Sequence, residues 1–423
     1  MGGRVMTASE RILKKTLVTS GIGADEWNSI QAGFRDRAFF SARVTEIRIL
    51  DVMRGSIEKS LSGNLSPSEF RKAVRETLFK TGYDAGDARG TINDLMTKSR
   101  LDLVYNTNRE MAQGFIQHLQ ATSEGALAAF PAYELIRAER RKVPRNWPEI
   151  WKSKGGTLYQ GGRMIALKTD PIWTRISRFG IPHPPFDYNS GMDLVSVSRG
   201  ECLALGVIDE KTPKQKPPKL DFNENLQASF DAGHWSGEYA RKLKDAFGDQ
   251  IKHTQDQKTG NVTVQWQGNL LRDAFENYTT PTPEDSGKGW GLGKATAKLL
   301  AACDKVSPQY RPLFEGRGLS LSKSIAKHTI GEGHWLVDKT PGNMPVKPAD
   351  LDLVPSMWRS PDYIEAGGQK DSIVLCLETF DGGILKLPVK VRGLVTIPTG
   401  LFKQKSPMSA VAGIPRLATS GTP

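Results

Sequence analysis

Cysteine is nearly missing from this 423-residue chain: Cys202, Cys303 and Cys376 are far apart and odd in number. That count argues against a disulfide framework or a Cys-rich zinc site and fits a reducing cytoplasm. Histidine is scarce too, at six. No apolar run approaches the roughly 20 residues that cross a bilayer, so no membrane segment is expected. The opening MGGRVMTASERILKKTL is amphipathic and lacks the apolar stretch and small-residue cleavage site of a secretory signal. Gly3, Arg4, Val5 and Met6 do not supply the Ser or Thr of a myristoylation motif. No internal repeat of fixed period is visible.

What the chain does have is length and positive charge. Its 423 residues exceed one ordinary core and predict two or three domains. Hydrophobic content of 38% with a mean hydropathy of −0.41 is low but globular. The net charge of +12 is spread over both halves with no basic tail. Such a spread implies general affinity for polyanions, packaged DNA or RNA among them, without a dedicated nucleic-acid arm. A DNA-handling factor rests on this charge alone, and a merely soluble basic protein fits it equally well.

Residues 1–122 read as helices. Ile30, Phe34 and Ala38, then Val44, Ile47, Met53, Ile57 and Leu61, recur near helical spacing up to Gly63-Asn64. Ser66-Pro67-Ser68-Glu69 is a helix start with Ser66 as N-cap and Glu69 closing a capping box. Phe70, Val74 and Leu78 share the following face, and Gly82 stops it. Leu101, Val104, Asn108, Met111, Phe115 and Leu119 mark another long amphipathic helix, with Arg100 and Arg109 beside it. These stripes are packing surface. Long helices with little else suit an arm that docks on a large partner.

Ala166–Asp193 breaks every period. It holds Pro171, Pro182, Pro184 and Pro185 with the aromatics Trp173, Phe179, Phe186 and Tyr188. Each proline fixes φ, removes a backbone donor and pushes its predecessor out of helical geometry. A stiff extended path pinned to a scaffold by its aromatics is expected. His183, Asp187 and Asp193 show no recognisable metal-ligand spacing.

Taken in order, Trp147 to Trp151, Gly155 to Arg163, Ile172-Trp173, Ser177-Arg178-Phe179-Gly180, Pro184-Pro185-Phe186-Asp187 and Asn189-Ser190-Gly191-Met192 resemble the Mu F-like minor head proteins of tailed phages, the head-morphogenesis family. With the preceding helices the resemblance covers about half the chain. It implies a role in capsid assembly, with the phage portal or inner capsid proteins as partners. It also implies location in the virion interior, and in the host cytoplasm during assembly. Trp173, Phe179, Pro184, Pro185 and Phe186 would form a structural docking loop. The family's Cys-Arg-Cys-like ending is missing, so no metal and no cofactor are expected.

After 123–210 comes Lys211–Lys219, KTPKQKPPK, which reads as an exposed linker. Residues 211–288 as a whole are an ambiguous linker region: an early helical stretch, a hairpin-like GNVTVQWQG, a helix from Leu270 to Tyr278 and a second Pro-rich linker. Gly289–Thr296 has the glycines of a phosphate-binding loop, but Lys288 and Ala295 stand where its first glycine and its hydroxyl residue belong. We read it as a flexible lead-in to a helix over Lys294–Cys303. Another helix is expected over Pro348–Arg359. Ser372–Thr379 and Ile384–Val391 alternate as strands around the turn Asp381-Gly382-Gly383, and Leu394–Ile397 adds a third. Residues 289–405 would be a small α+β domain with an antiparallel sheet, followed by a flexible tail over 406–423.

Leu319–Val337, LSLSKSIAKHTIGEGHWLV, places His328 and His334 six residues apart beside Lys323 and Lys327. Histidine moves protons near neutral pH, and a neighbouring cation stabilises charge on a phosphoryl group. That kit serves metal-free RNA cleavage. Together with Pro361-Asp362-Tyr363-Ile364 and the hairpin, the segment resembles the phage-encoded branch of the ribonuclease superfamily that groups barnase, EndoU, colicin and RelE-like toxins. The resemblance implies His328 and His334 as acid and base, Lys327 as electrostatic stabiliser, and Lys323, Arg392 and Thr396 as looser members, with host RNA as substrate. The rival expectation is a purely structural, portal-associated protein with no catalysis. The fold class expected is multidomain α+β: long N-terminal helices, a small α+β Mu F-like unit with its Pro-rich loop, and the C-terminal sheet.

Overall fold

A computed structural model describes residues 6–218, 226–230, 237–247, 250–266, 272, 289–322, 342–393, 395–405 and 417–418. The chain is a multidomain α+β protein, and its helices and sheets meet in several separate cores.

The N-terminal region supplies α1 (Ala8–Lys14), α2 (Ala24–Ser29), α3 (Ala32–Asp36), α4 (Ile47–Leu61), α5 (Pro67–Lys80) and α6 (Lys98–Ala121). Between them β1 (Thr16–Leu17) pairs in parallel with β2 (Ala38–Phe39), so the helix expected through Ala38 ends two residues earlier. Side chains fix the helix starts. Thr7 and Glu10 close a capping box on α1, Ser66 and Glu69 do so on α5, and Thr97 accepts from the Arg100 amide on α6. Phe70, Val74 and Leu78 are the buried face of α5, as their spacing predicts.

The middle unit holds α7 (Glu124–Ala129), α8 (Trp147–Ser153), α9 (Ile172–Arg175) and α10 (Arg199–Ala204) around β3 (Ala132–Arg137), β4 (Leu158–Tyr159), β5 (Arg163–Leu167) and β6 (Met192–Val197). The sheet order is β4-β5-β3-β6, all antiparallel, with Ala132 opposite both Leu167 and Val197. The Pro-rich segment links β5 to β6 and folds back over the sheet. Residues 211–218 have no regular structure, yet they are tied down. Gln215 donates to the Pro131 carbonyl at 2.7 Å and accepts from the Thr169 amide at 3.1 Å.

Where the sequence left an ambiguous stretch, β7 (Gln227–Phe230), α11 (Gly237–Phe247), β8 (Ile251–Gln255) and β9 (Val262–Trp266) form a small sheet of order β7-β9-β8 with a helix. Val262, Val264 and Trp266 alternate inward and meet Phe247 of α11 together with Trp27 and Phe34 of the N-terminal helices. The expected Leu270–Tyr278 helix lies almost wholly outside the described residues.

The C-terminal unit comprises β10 (Gly289–Lys294), α12 (Ala297–Val306), α13 (Tyr310–Phe314), β11 (Gly318–Ser322), β12 (Asn343–Met344), α14 (Val354–Arg359), β13 (Tyr363–Ala366), β14 (Ser372–Glu378), β15 (Gly383–Arg392), β16 (Val395–Pro398) and β17 (Phe402–Lys405). The glycine-rich Gly289–Lys294 is thus a strand rather than a flexible lead-in, paired antiparallel with β11. Thr296 then caps α12. Pro348–Leu353 is a tight 3-10 segment ahead of α14, because Pro355 interrupts the hydrogen-bond ladder. The hairpin β14–β15 turns at Asp381-Gly382, as read from the sequence. The sheet is mixed: β11 and β16 run parallel, and the other neighbours along β10-β11-β16-β15-β14-β13 are antiparallel.

The N-terminal helices do not stand off as an arm. Ile49, Leu50, Met53 and Ile57 of α4 belong to the same core as Leu375, Leu377 and Leu385 of the C-terminal sheet. Fully burying each such side chain is worth about 1.5–3 kcal/mol, so this shared core contributes to holding the chain's two ends together. Gly55 explains how α4 comes so close. A Cβ there would collide with the Phe380 ring at the β14–β15 turn. Charge follows apolar contact across the same seam. Arg54 of α4 pairs with buried Asp352 and donates to the Lys15 and Ala349 carbonyls at 2.9 and 3.1 Å. Lys403 of β17, itself fully buried, reaches Asp350 at 3.0 Å and Asp381 at 2.8 Å.

Candidate functional site

Lys323, Lys327, His328 and His334 lie outside the described residues, between the end of β11 at Ser322 and Gly342. The two looser members can be placed. Thr396 sits opposite Leu319 of β11 and is fully buried, its hydroxyl lacking a hydrogen-bond partner among the described residues. Arg392 is exposed at the β15–β16 turn, opposite Val395, which itself faces Gly318. The strand β11 runs from Gly318 away from this turn. At about 3.3 Å per residue its far end lies roughly 13 Å from the Arg392 end of the sheet. The register brings Thr396 beside β11 but sets Arg392 at the opposite end from where the histidine segment begins.

The Pro-rich loop is fully described, and most of the side chains expected to form a docking loop are buried. Trp173 and Phe186 are wholly buried, and Phe179 and Pro185 are buried too. Trp173 packs against Trp151 at 5.3 Å and Phe186 at 6.2 Å, and its indole nitrogen donates to the Leu167 carbonyl at 2.8 Å. Side chains committed to a core in this way cannot be offered to a partner; they hold the loop's shape. Pro184 is half-buried against α6, where Gly114 leaves room: a Cβ there would strike the Pro184 carbonyl. His183, beside it, is buried 5.9 Å from the ring of His118. Burial pushes the His183 imidazole down to about 4 and that of His118 down to about 3, so both are neutral at pH 7. No group of metal-ligating side chains occurs among the described residues, Asp187 and Asp193 included.

Laid across α3 and α6, the loop closes one side of a cleft of about 310 Å³. The Arg35 guanidinium of α3 spans the floor, donating to the carbonyls of Ile30 at 2.7 Å and Phe179 at 3.1 Å and to Asn28 Oδ1 at 3.3 Å. Arg100, at the start of α6, is 9% exposed and donates to Ser41 Oγ at 3.0 Å and the Ala42 carbonyl at 3.4 Å. Its Nε is buried with no partner among the described residues. From the loop come Arg178 and Tyr188, and from the segment ahead of α8 comes Arg145, whose guanidinium meets Asp187 at 3.3 Å. Lys15 meets the Asp36 carboxylate at 3.5 Å and its backbone carbonyl at 2.8 Å. Burial drops the Lys15 ammonium to about 8. At Asp36 burial works the other way, but Lys15 and Arg11 outweigh it and hold the carboxyl well below its usual range.

Several of these residues were named from sequence as parts of α6 and of the Pro-rich segment, but no cleft between them was expected, although α6 carried a signal. Arg100, Val104, Thr107 and Met111 follow one another at helical spacing, so an arginine shares the stripe that meets the protein interior. Arg35 gave no comparable sign.

No protein-family model, curated protein or solved structure matches this chain.

Proposed function

We propose that the chain is a minor head protein of a tailed phage. In this reading it acts in head morphogenesis, contacts portal or inner capsid proteins inside the virion, and carries a metal-independent ribonuclease-like unit in residues 289–405. One observation carries the assembly half. The rare residues that define the resemblance, Trp147, Trp151, Trp173 and Phe186, are scattered over forty positions, yet they pack into a single aromatic core that seats the Pro-Pro loop on α6. A shared motif order that coincides with one packing unit is what a common fold requires.

Support for the nuclease half is the residue kit alone: His328 and His334 as acid and base, Lys327 for the charge on the phosphorane, and Lys323, Arg392 and Thr396 as looser members. Mass-spectrometric inventory of purified particles tests virion membership, and absence of the chain from them would sink the assembly reading. Full-length protein incubated with host RNA should cleave it, and His328→Ala or His334→Ala should remove that cleavage. A parent protein that leaves RNA intact would favour the purely structural reading, to which the shared core of α4 and the C-terminal sheet gives a physical basis.

A further inference from the structure

The cleft between α3, α6 and the Pro-rich loop holds more positive charge than its own carboxylates answer. Five cationic side chains line it, Lys15, Arg35, Arg100, Arg145 and Arg178, against the carboxylates of Asp36 and Asp187. Those two are already engaged. Asp36 is held by Arg11 at 2.6 Å and by Lys15, while Asp187 is held by Arg145, with Arg178 4.0 Å away. Arg178 has a further partner in Asp25 at 3.0 Å. Arg35 and Arg100 remain. Each donates only to neutral oxygens, and neither meets a carboxylate among the described residues.

A buried guanidinium without a counter-charge is costly unless something else supplies one. Both groups line the same cleft, and so does Tyr188, whose ring lies edge-on to Phe179 at 4.9 Å. Two unanswered cations, planar and many-donored, match a dianionic tetrahedral oxyanion, since guanidinium forks bind phosphate oxygens in pairs. A phosphomonoester carries close to two negative charges at neutral pH. The volume is at the low end for small-molecule sites, which suits a compact ligand.

We propose that this cleft is a phosphate-binding site, with Arg35 and Arg100 as the anion's direct partners beside Tyr188. The site is independent of any ribonuclease activity in residues 289–405. Its ligand is free phosphate or the phosphate group of a small phosphorylated molecule.

The test is calorimetric titration of the full-length protein with inorganic phosphate and, separately, with glycerol 3-phosphate, at low and at moderate salt. One saturable site is expected, weakening as salt rises. Arg35→Gln and Arg100→Gln should each weaken binding about tenfold or more, the loss of one or two charge-assisted hydrogen bonds. Arg100→Lys, which keeps the charge and the stem but not the fork, should fall between Arg100→Gln and the parent and guards against loss of fold. Lys72→Gln on the exposed face of α5 should change nothing. Equal affinity for the two probes assigns free phosphate, and tighter glycerol 3-phosphate assigns an organic phosphate. Absence of a saturable site in the parent protein would overturn the proposal, as would undiminished binding in the Arg35→Gln, Arg100→Gln double variant. Binding of a single-stranded oligonucleotide with neither small probe retained would overturn it as well, and would give the cleft to a nucleic-acid backbone.

Discussion

Two clusters of charge meet the N-terminal helices, and they are built on different plans. Around Arg54, cations meet carboxylates: Arg54 and Arg272 with Asp352, Lys403 with Asp350 and Asp381, and Lys347 with Asp381 at 3.0 Å. Around Arg35 and Arg100, the donors end on neutral carbonyls and a hydroxyl. Both line clefts, of about 490 and 310 Å³. The first is closed in charge only, and it joins segments some three hundred residues apart, Arg54 and Asp352 being 298 positions from one another. The difference separates charge that holds a fold together from charge that awaits a counter-ion, a distinction that burial alone would miss because Arg54 and Arg100 are both buried.

The comparison breaks most readily at the closed cluster. Asp352→Ala removes the buried carboxylate shared by Arg54 and Arg272 and leaves Arg54, among the described carboxylates, only Asp51 at 3.5 Å. It should cost about 3–5 kcal/mol of unfolding free energy in a denaturant titration. A loss under about 1 kcal/mol would mean that the seam between α4 and the C-terminal unit contributes little. A middle-sized effect is expected from acid. His118 and His183 have folded-state values of about 3 and about 4 against an ordinary 6.5, so the unfolded chain takes up protons first as pH falls. Their contribution is intact above pH 6.5 and is lost on the way down toward 4, at about 2 kcal/mol per histidine by pH 5. His118→Phe should flatten that limb of a stability-against-pH curve; an unchanged slope would show that the imidazole is not titrating there. The smallest effect sharpens the contrast. Arg100→Gln removes a buried cation that has no carboxylate, so stability should move by less than about 1 kcal/mol, toward greater stability if at all. A large loss would place Arg100 with the closed cluster instead.

Local features of this fold were legible because local physics sets them. The Ser66–Glu69 capping box, the stripe Phe70-Val74-Leu78 and the hairpin at Asp381-Gly382 each depend on residues a few positions apart, and each is found where the pattern put it. The union of α4 with the β14–β15 hairpin was not legible. An amphipathic stripe states that a helix has an apolar face, but not which distant strand covers it. The β7-β9-β8 sheet was missed for a related reason. Only its Val262-Val264-Trp266 strand alternates cleanly, while Ile251–Gln255 is largely exposed and polar. The aromatics of the Pro-rich loop were expected to pin it to a scaffold, and Trp173 and Phe186 are buried in the core of the middle unit, a partner that sequence alone does not name.

The seam between α4 and the C-terminal sheet also sets a schedule. Translation proceeds at about 5–20 residues per second, so Asp352 leaves the ribosome roughly 15–60 seconds after Arg54, the two being 298 residues apart. Through that interval Ile49, Leu50, Met53 and Ile57 share their core only with N-terminal residues such as Phe70, Val74, Leu78 and Leu101. A chain stopped early in residues 289–405 would keep that half of the core and lack the half that Leu375, Leu377 and Leu385 supply.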